Sequence, residues 1–558
     1  MNSRQCNFQR LIPALIFIAG TIFISGKLLP ELPLFITDNG NKYMVMRNFA
    51  EHGSLTMAHG LPLLFPKGGF HFQSFGNGEI HSFHSGVLPV ISAPFYLIFG
   101  KYGALLPVWL AGLGIVLLMI NGDKRVRFAL WGLLLTTPFW LYSVMLWEMI
   151  PSMLAALGGF MLLKRQKFLL SGIVFALGIW MREELYILGF IVGVHLLCQR
   201  RWRDSLQLAA GAVAAIVPLW LINYALYGHI LGLHGATYAM NNRTGGFSLT
   251  DELSGIVFNY YQHLLRFETL PAEVSLTISI VGAAALIVPG FFKNAKLKLA
   301  GVAVFALIDA IFIWNLFKSP SPLFSCGVTM SLLFSLPLAA GYFINLRQLL
   351  TDRNRHYRLM AQITAIYIIT VPLLLTRFDI GLTFGARHYM CIMPLLMLLS
   401  FRGFAKMQCV IKSKQLFLIV LTAMGIALQF YGFNTLYLSS HASAGFEKAI
   451  RQHPAKVVIS DVFFLPEQTP EIYFDKLCLE VISPEQATAA LDHLEKNQIT
   501  EFILILGQNN DFRRMDNAVL KILLEKYPLC AAPAALDAAP GMPLFIAHCR
   551  KAIPSTVR

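Results

Sequence analysis

Apolar stretches of roughly bilayer-spanning length recur through most of the chain, and this recurrence constrains the fold more than any other feature. About thirteen can be read, at residues 11–29, 103–120, 128–146, 149–163, 168–181, 184–198, 205–224, 274–292, 299–317, 322–345, 359–375, 389–401 and 415–437. Composition agrees. Of 558 residues, 56% are hydrophobic and 13% charged, with a mean hydropathy of +0.60. A soluble chain would carry about 25% charged residues. The expected class is a polytopic α-helical membrane protein of about thirteen transmembrane helices, with a large first outer loop and a small C-terminal α/β domain. The first apolar stretch is long and no small-x-small site follows it, so it reads as a retained span rather than a cleaved signal.

Loop charge sets the expected orientation. "GDKRVR" (122–127), "KRQK" (164–167), "QRRWR" (199–203), "KNAKLK" (293–298), "RQLLTDRNRHYR" (347–358) and "RGFAKMQCVIKSK" (402–414) all fall on one side if the N-terminus is cytoplasmic. Positive charge resists translocation, which assigns that side to the cytoplasm. An odd number of spans then leaves the C-terminal domain outside, as in a multi-pass protein of a bacterial inner membrane. The run "VLPVISAPFYLIFG" (87–100) would break the charge pattern if it crossed the bilayer. With Pro89 and Pro94 inside it, it reads as a helix at the outer surface.

Residues 1–438 thus form a transmembrane domain, with 30–102 as its first outer loop. Residues 439–558 differ in character, with 12 Lys and Arg against 14 Asp and Glu. "KVVIS" (456–460) and "EFILILG" (501–507) read as buried strands, and "SPEQATAALDHLEKNQ" (483–498) as a helix opened by a capping box of Ser483 and Gln486. Neither GxGxxG nor GK[ST] occurs there, so nucleotide binding has no support. Cys478, Cys530 and Cys549 allow at most one internal disulfide.

The outer side collects the residues able to do chemistry. The first loop offers Asp38, Lys42, Glu79, His81 and His84; the turn "LWEMIP" offers Glu148; "WMREELY" offers Arg182, Glu183 and Glu184; "RFDIGLTFGARHYM" offers Arg377, Asp379, Arg387 and His388. A carboxylate can take a proton from an acceptor, and arginines can hold a phosphate and stabilise its charge as it leaves. Each also has a structural reading. Asp38 could cap the helix that carries Tyr43, Met46, Phe49 and Ala50 on one face and stops at Gly53. Glu148 could be a solvated turn residue, Arg182 and Arg387 headgroup anchors, and His81 and His84 ordinary loop residues. Asp309 lies inside a span, where a charge is costly, so it should face the bundle interior with a partner.

Read together, these segments resemble the C-type membrane glycosyltransferases, the group that includes protein O-mannosyltransferases and the aminoarabinose transferases of lipid A. "TDNGNKYMVMRNFAEHGSL" is similar to that group's first outer loop and "SFHSGVLPVISAPFYLIFG" to its surface helix, with His84-Ser85-Gly86 in place of Pro-Pro-Leu. "LSGIVFALGIWMREELYIL" resembles its Gly-rich span ending in Arg-x-Glu, and "WLINYALYGHILG" its Asn-Tyr-x-x-x-Gly run. "FGARHYMCIMPLL" resembles its Gly-x-Arg-Tyr…Pro segment, with His388 inserted. The resemblance covers about residues 10–437. It implies a helical bundle whose first loop folds over an outward cavity, and a polyprenyl-phosphate-linked sugar as donor. It places catalytic acidic residues at Asp38 and Glu148, and donor-phosphate binding at Arg387, Arg182 and Lys42. His84, His81, Tyr43, Glu183 and His388 are then candidate donor or acceptor contacts. The acceptor would be an envelope glycan, lipid or protein, and the setting the membrane lipids themselves; nothing points to nucleic acid. No cofactor is implied with certainty, and a divalent metal ion is left open.

Three other classes compete. A transporter or flippase would favour internal repeats and interrupted helices at the midplane, and Asp309 is the residue that suits it. A lipid-linked glycan polymerase or ligase would also use outer arginines, without needing an acidic loop after the first span. A non-catalytic scaffold would leave the outer carboxylates and arginines scattered.

Overall fold

The computed structural model describes residues 3–29, 37–57, 72–74, 80–82, 84–232, 249–265, 271–318, 331–374, 385–407, 411–462, 465, 469–507, 515–539 and 542–551. The chain forms two compact units. One comprises residues 1–24 and 105–434; the other comprises 25–104 and 435–558. The segment expected to form the first outer loop therefore groups with residues 435–558.

The larger unit is a helical bundle. Among the described residues of the whole chain, eight helices are long and apolar enough to cross a membrane, and four shorter apolar helices accompany them. The chain is a multi-pass membrane protein. Its outward residues are apolar as lipid requires: Leu15, Phe190, Leu221 and Leu307 are all exposed. Helices Phe168–Ile179 and Trp202–Tyr227 approach through glycines. A Cβ on Gly172 would collide with the Leu208 carbonyl, and one on Gly211 with that of Leu169. Small residues at such crossings let backbones touch where lipid offers no hydrophobic drive to associate.

Two of the expected spans differ in detail. Residues 128–146 do not form one helix: Lys124–Thr136 ends before Pro138, and a short Phe139–Ser143 turn follows. Proline has no N–H and disfavours helix in the residue before it. Of 322–345, residues 322–330 lie outside the described set. The rest is a 3-10 turn, Pro337–Ala339, and one helical turn, Ala340–Phe343. The surface run is a helix, Val87–Ala104, kinked at Gly100, where φ is +62°. By length and apolarity alone it qualifies as a span, and it clusters with the smaller unit. Asp309 is fully buried, but among the described residues neither of its oxygens has a hydrogen-bond partner.

The smaller unit contains two sheets. β1 (Thr56–Met57), β2 (Phe72–Ser74) and β3 (Ile80–Ser82) form an antiparallel ribbon in the order β1-β3-β2. β4 (Val457–Ser460), β5 (Leu477–Glu480), β6 (Glu501–Gly507), β7 (Ala534–Ala539) and β8 (Met542–Arg550) form the order β5-β4-β6-β8-β7, parallel through β5, β4 and β6. The expected strands and the Ser483–Gln486 capping box are both present. In a parallel sheet with such a reversal, ligands commonly bind at the carboxyl ends. Here Asp461 fills that edge, accepting from the amides of Gly507 (3.0 Å) and Met515 (3.2 Å). Cys478, Cys530 and Cys549 are all free thiols.

The first-loop helix, Thr37–His52, belongs to this unit's core. Met44 and Val45 pack with Val457, Leu479, Leu491 and Phe502. The helix is buried from Asp38 to Met46, including Asn39, Asn41 and Lys42, so it is not the one-faced amphipathic helix expected. It stops at Gly53, with φ +69°.

Candidate active site

In the smaller unit, Asp38 sits in the first turn of its helix, 9% exposed, where the helix N-terminus favours a negative charge. His84 Nε2 lies 3.4 Å from Asp38 Oδ1, an ion-pair distance. His81 is buried on β3, and the Ser82 hydroxyl next to it donates to Asn41 Oδ1, tying ribbon to helix. Tyr43 is fully buried and donates from its hydroxyl to Glu471 Oε1 at 2.7 Å. Arg47 donates to Glu471 Oε2, and Lys101 Nζ lies 3.5 Å from Oε1. Burial raises the Glu471 carboxyl. The Tyr43 hydrogen bond and the charges of Lys101, Arg47 and Arg451 outweigh that and hold it below the usual range. Glu471 thus clamps the first-loop helix to the terminal domain.

In the bundle, the second group of expected residues converges. Arg387 opens a 3-10 turn, Arg387–Ile392, that follows Gly385. Gly385 has φ +71°, and a Cβ there would meet Pro138 Cγ at 2.8 Å, so only glycine suits the bend. The turn is held by the Tyr367 hydroxyl, which donates to the His388 carbonyl at 3.0 Å. Arg387 and His388 are both buried, so Arg387 is not an exposed headgroup anchor. Arg387 Nε donates to His388 Nε2 at 3.1 Å. A guanidinium has no lone pair to offer, so Nε2 is the unprotonated nitrogen. The proton then sits on Nδ1, which donates to Glu184 Oε1 at 2.8 Å. Glu184 also receives Arg182 through two donors, Nε at 3.0 Å and Nη2. Glu148, at the start of helix Met149–Lys164, is buried rather than solvated, and its charge stabilises the Arg182 guanidinium. Glu183 is exposed; the protein packed around it and the charge of Glu184 raise its carboxyl, against Arg182.

The order Arg387, His388, Glu184, Arg182 forms one hydrogen-bonded chain. Asp38, Lys42, Tyr43, His81 and His84 belong to the other unit. Glu79, Arg377 and Asp379 lie outside the described residues. Sequence reasoning weighed Glu183 where the geometry selects Glu184, and it missed His263. The His263 ring meets His388 edge-on, with centroids 5.1 Å apart. Among the described residues, no group of three or more His, Cys, Asp or Glu side chains is arranged to hold a metal ion.

No family model and no curated protein matches this sequence. Among solved structures, ArnT from Cupriavidus metallidurans in its apo state aligns over 96% of this chain and 97% of its own, at TM-score 0.50 and 14% identity. The chain shares the ArnT fold. The same protein bound to undecaprenyl phosphate aligns over 98% of both chains, at TM-score 0.49 and 12% identity.

Proposed function

We propose that this chain is a membrane glycosyltransferase that moves a sugar from a polyprenyl-phosphate donor to an envelope acceptor on the outer face of the membrane. One observation carries the reading: Arg387 is buried on a glycine-dependent bend, its guanidinium oriented by a neutral imidazole that Glu184 fixes in one tautomer. An arginine fixed in this way suits a phosphate that gains charge as it leaves, because its donors need no reorganisation. Arg182 has a different role. Glu184 already receives two of its donors, so it supports the network. Lys42, one helical turn beyond Asp38, is the further cation for the leaving phosphate.

Asp38 is the base. It takes the proton of the acceptor hydroxyl, and that oxygen attacks the anomeric carbon. The bond from that carbon to the phosphate oxygen breaks, and polyprenyl phosphate leaves with the electron pair. A single displacement inverts the anomeric centre. His84, beside Asp38, orients the carboxylate. Glu148 holds the second acidic position. Residues 439–558 lie outside the cytoplasm, and a C-terminal alkaline phosphatase fusion should be active.

Asp38→Asn tests the assignment. Asparagine favours helix starts about as well as aspartate does, so the fold should survive. Its amide cannot accept the proton, so turnover should fall by about 10²-fold or more. The assay is release of undecaprenyl phosphate from its sugar conjugate by protein reconstituted in vesicles. Turnover at the parent's rate in Asp38→Asn removes the base from this scheme. Lipid-linked sugar profiles of cells with and without the gene would identify the sugar.

A further inference from the structure

His263 stands out among the buried polar groups of the bundle. It is 1% exposed, and its Nε2 has no hydrogen-bond partner among the described residues. The backbone there is not loose. His263 lies in a π-helical turn, Tyr261–Leu265, and its carbonyl accepts from the Leu332 amide at 2.8 Å. Such turns in otherwise α-helical segments often occur at functional sites. The neighbouring imidazole cannot satisfy it, because both His388 nitrogens are engaged, one by Arg387 and one by Glu184. A buried polar nitrogen with no partner is unfavourable in the empty protein, and a ligand that supplies one removes that penalty.

The surroundings select the ligand's charge. Arg387 acts on the His263 ring as a nearby positive charge. A cationic group would be repelled there, whereas an anionic oxygen would be attracted to Arg387 and could accept from an Nε2–H. We propose that His263 is a ligand-contacting residue of this site, donating from Nε2 to an oxygen of the donor's phosphate. This rests on the reading of Arg387 as the phosphate-binding arginine. It adds a neutral donor that fixes the phosphate's rotation, which one guanidinium alone leaves less defined.

The test is undecaprenyl phosphate binding to the full-length protein in nanodiscs, with undecaprenol as the uncharged control. His263→Phe keeps a ring against His388 and removes both nitrogens. It should weaken undecaprenyl phosphate binding by about 10-fold, the loss expected for one hydrogen bond to a charged group. It should leave undecaprenol binding unchanged, and raise KM for the lipid-linked sugar more than it lowers kcat. His263→Gln places an amide N–H near Nε2 and should recover most of the affinity, whereas His263→Asn reaches only the Nδ1 position and should not. Should His263→Phe fail to fold, the Gln and Asn pair decides, and equal binding by the two overturns the inference. Parent-like binding by His263→Phe, with binding lost in Arg387→Ala, overturns the role of His263 and leaves the phosphate site standing. A parent protein that does not bind undecaprenyl phosphate overturns both.

Discussion

Two carboxylates in the bundle, Asp352 and Glu184, each hold an arginine through two hydrogen bonds, and their surroundings diverge from there. Asp352 takes Arg402 through Nε at 3.1 Å and Nη2 at 3.2 Å, Lys406 at 3.1 Å and the Asn354 amide at 2.9 Å. Arg402 in turn lies over the Tyr357 ring. Each of these donors is a cation or a backbone amide, and the cluster closes on itself. Glu184 takes Arg182 in the same way, but its second partner is an imidazole that passes the interaction on to Arg387 and lies against His263. Charge pairing is therefore a poor marker of function by itself. What distinguishes the Glu184 region is a tautomer set by its neighbours and a buried nitrogen left over. Glu471, in the smaller unit, resembles Asp352: its partners are a phenol and cations that join one stretch of chain to another.

The largest effect should come from the closed cluster. Asp352→Ala leaves Arg402 and Lys406 without their carboxylate. Losing one partner of a buried pair costs about 3–5 kcal/mol, and the partial exposure of the two cations puts this case at the lower end. pH gives an independent measure. Burial raises the Asp352 carboxyl, and hydrogen bonds from Arg402, the Asn354 amide and Lys406 bring it down to about 2. A depressed carboxyl stabilises the fold above its unfolded value and loses that contribution as pH falls through the folded one. Thermal unfolding in detergent should thus show parent and variant converging between about pH 4 and pH 2. A constant gap across that range would assign the loss to packing.

Glu184→Gln should separate activity from stability. Glutamine offers one oxygen where Arg182 and His388 both need one. His388 can then adopt its other tautomer, with the proton on Nε2, and Arg387 loses its acceptor. Turnover should fall by about 10- to 10²-fold, the loss typical when a partner that orients a functional side chain is removed, while the unfolding temperature moves less than in Asp352→Ala. A destabilisation as large as that of Asp352→Ala would make Glu184 another closed cluster and end the contrast.

Glu471→Gln should cost about 2 kcal/mol in the smaller unit, because Arg47 and Lys101 are partly exposed and water offsets some of the lost pairing. Its carboxyl is also held below the usual range, so this contribution should fade as pH drops below about 4.5. Amide exchange in residues 37–52 would report it directly, with faster exchange expected in the variant.

Local patterns explain what was legible in the sequence. Strand β6 follows from "EFILILG", the capping box from Ser483 and Gln486, and the long spans from uninterrupted apolar runs, since each depends on residues within a few positions. Gly385 was visible as the first residue of Gly-x-Arg, though the reason for it, a left-handed bend against Pro138, was not. The misses are long-range. Tyr43 and Glu471 are 428 positions apart, and no periodicity links them. The adjacent Glu183 and Glu184 are equivalent as text, and only the start of helix Glu184–Cys198 decides which one turns toward His388. His263 follows "NYYQ" in a segment too polar to read as a span, and nothing in its neighbours indicates that its nitrogen is buried.

Tyr43→Phe should have the smallest effect, and it bears on the one residue that both readings claim. The family resemblance made Tyr43 a candidate contact for donor or acceptor. In the fold its ring is buried edge-on against Tyr96, with centroids 5.9 Å apart, and its hydroxyl points to Glu471. Phenylalanine keeps the ring and its packing and removes only the oxygen. A hydrogen bond to a charged acceptor is worth about 1.5–3 kcal/mol, but Glu471 keeps Arg47 and Lys101, so the net loss should be near 1 kcal/mol. If the hydroxyl serves only the clamp, the unfolding temperature should fall slightly while KM for the lipid-linked sugar stays at the parent value. Combining Tyr43→Phe with Glu471→Gln should then cost less than the sum of the two, because both remove the same bond. An unchanged unfolding temperature with a raised KM would give the opposite result. Tyr43 would then contact the ligand, and the Glu471 cluster would join the open kind that Glu184 represents.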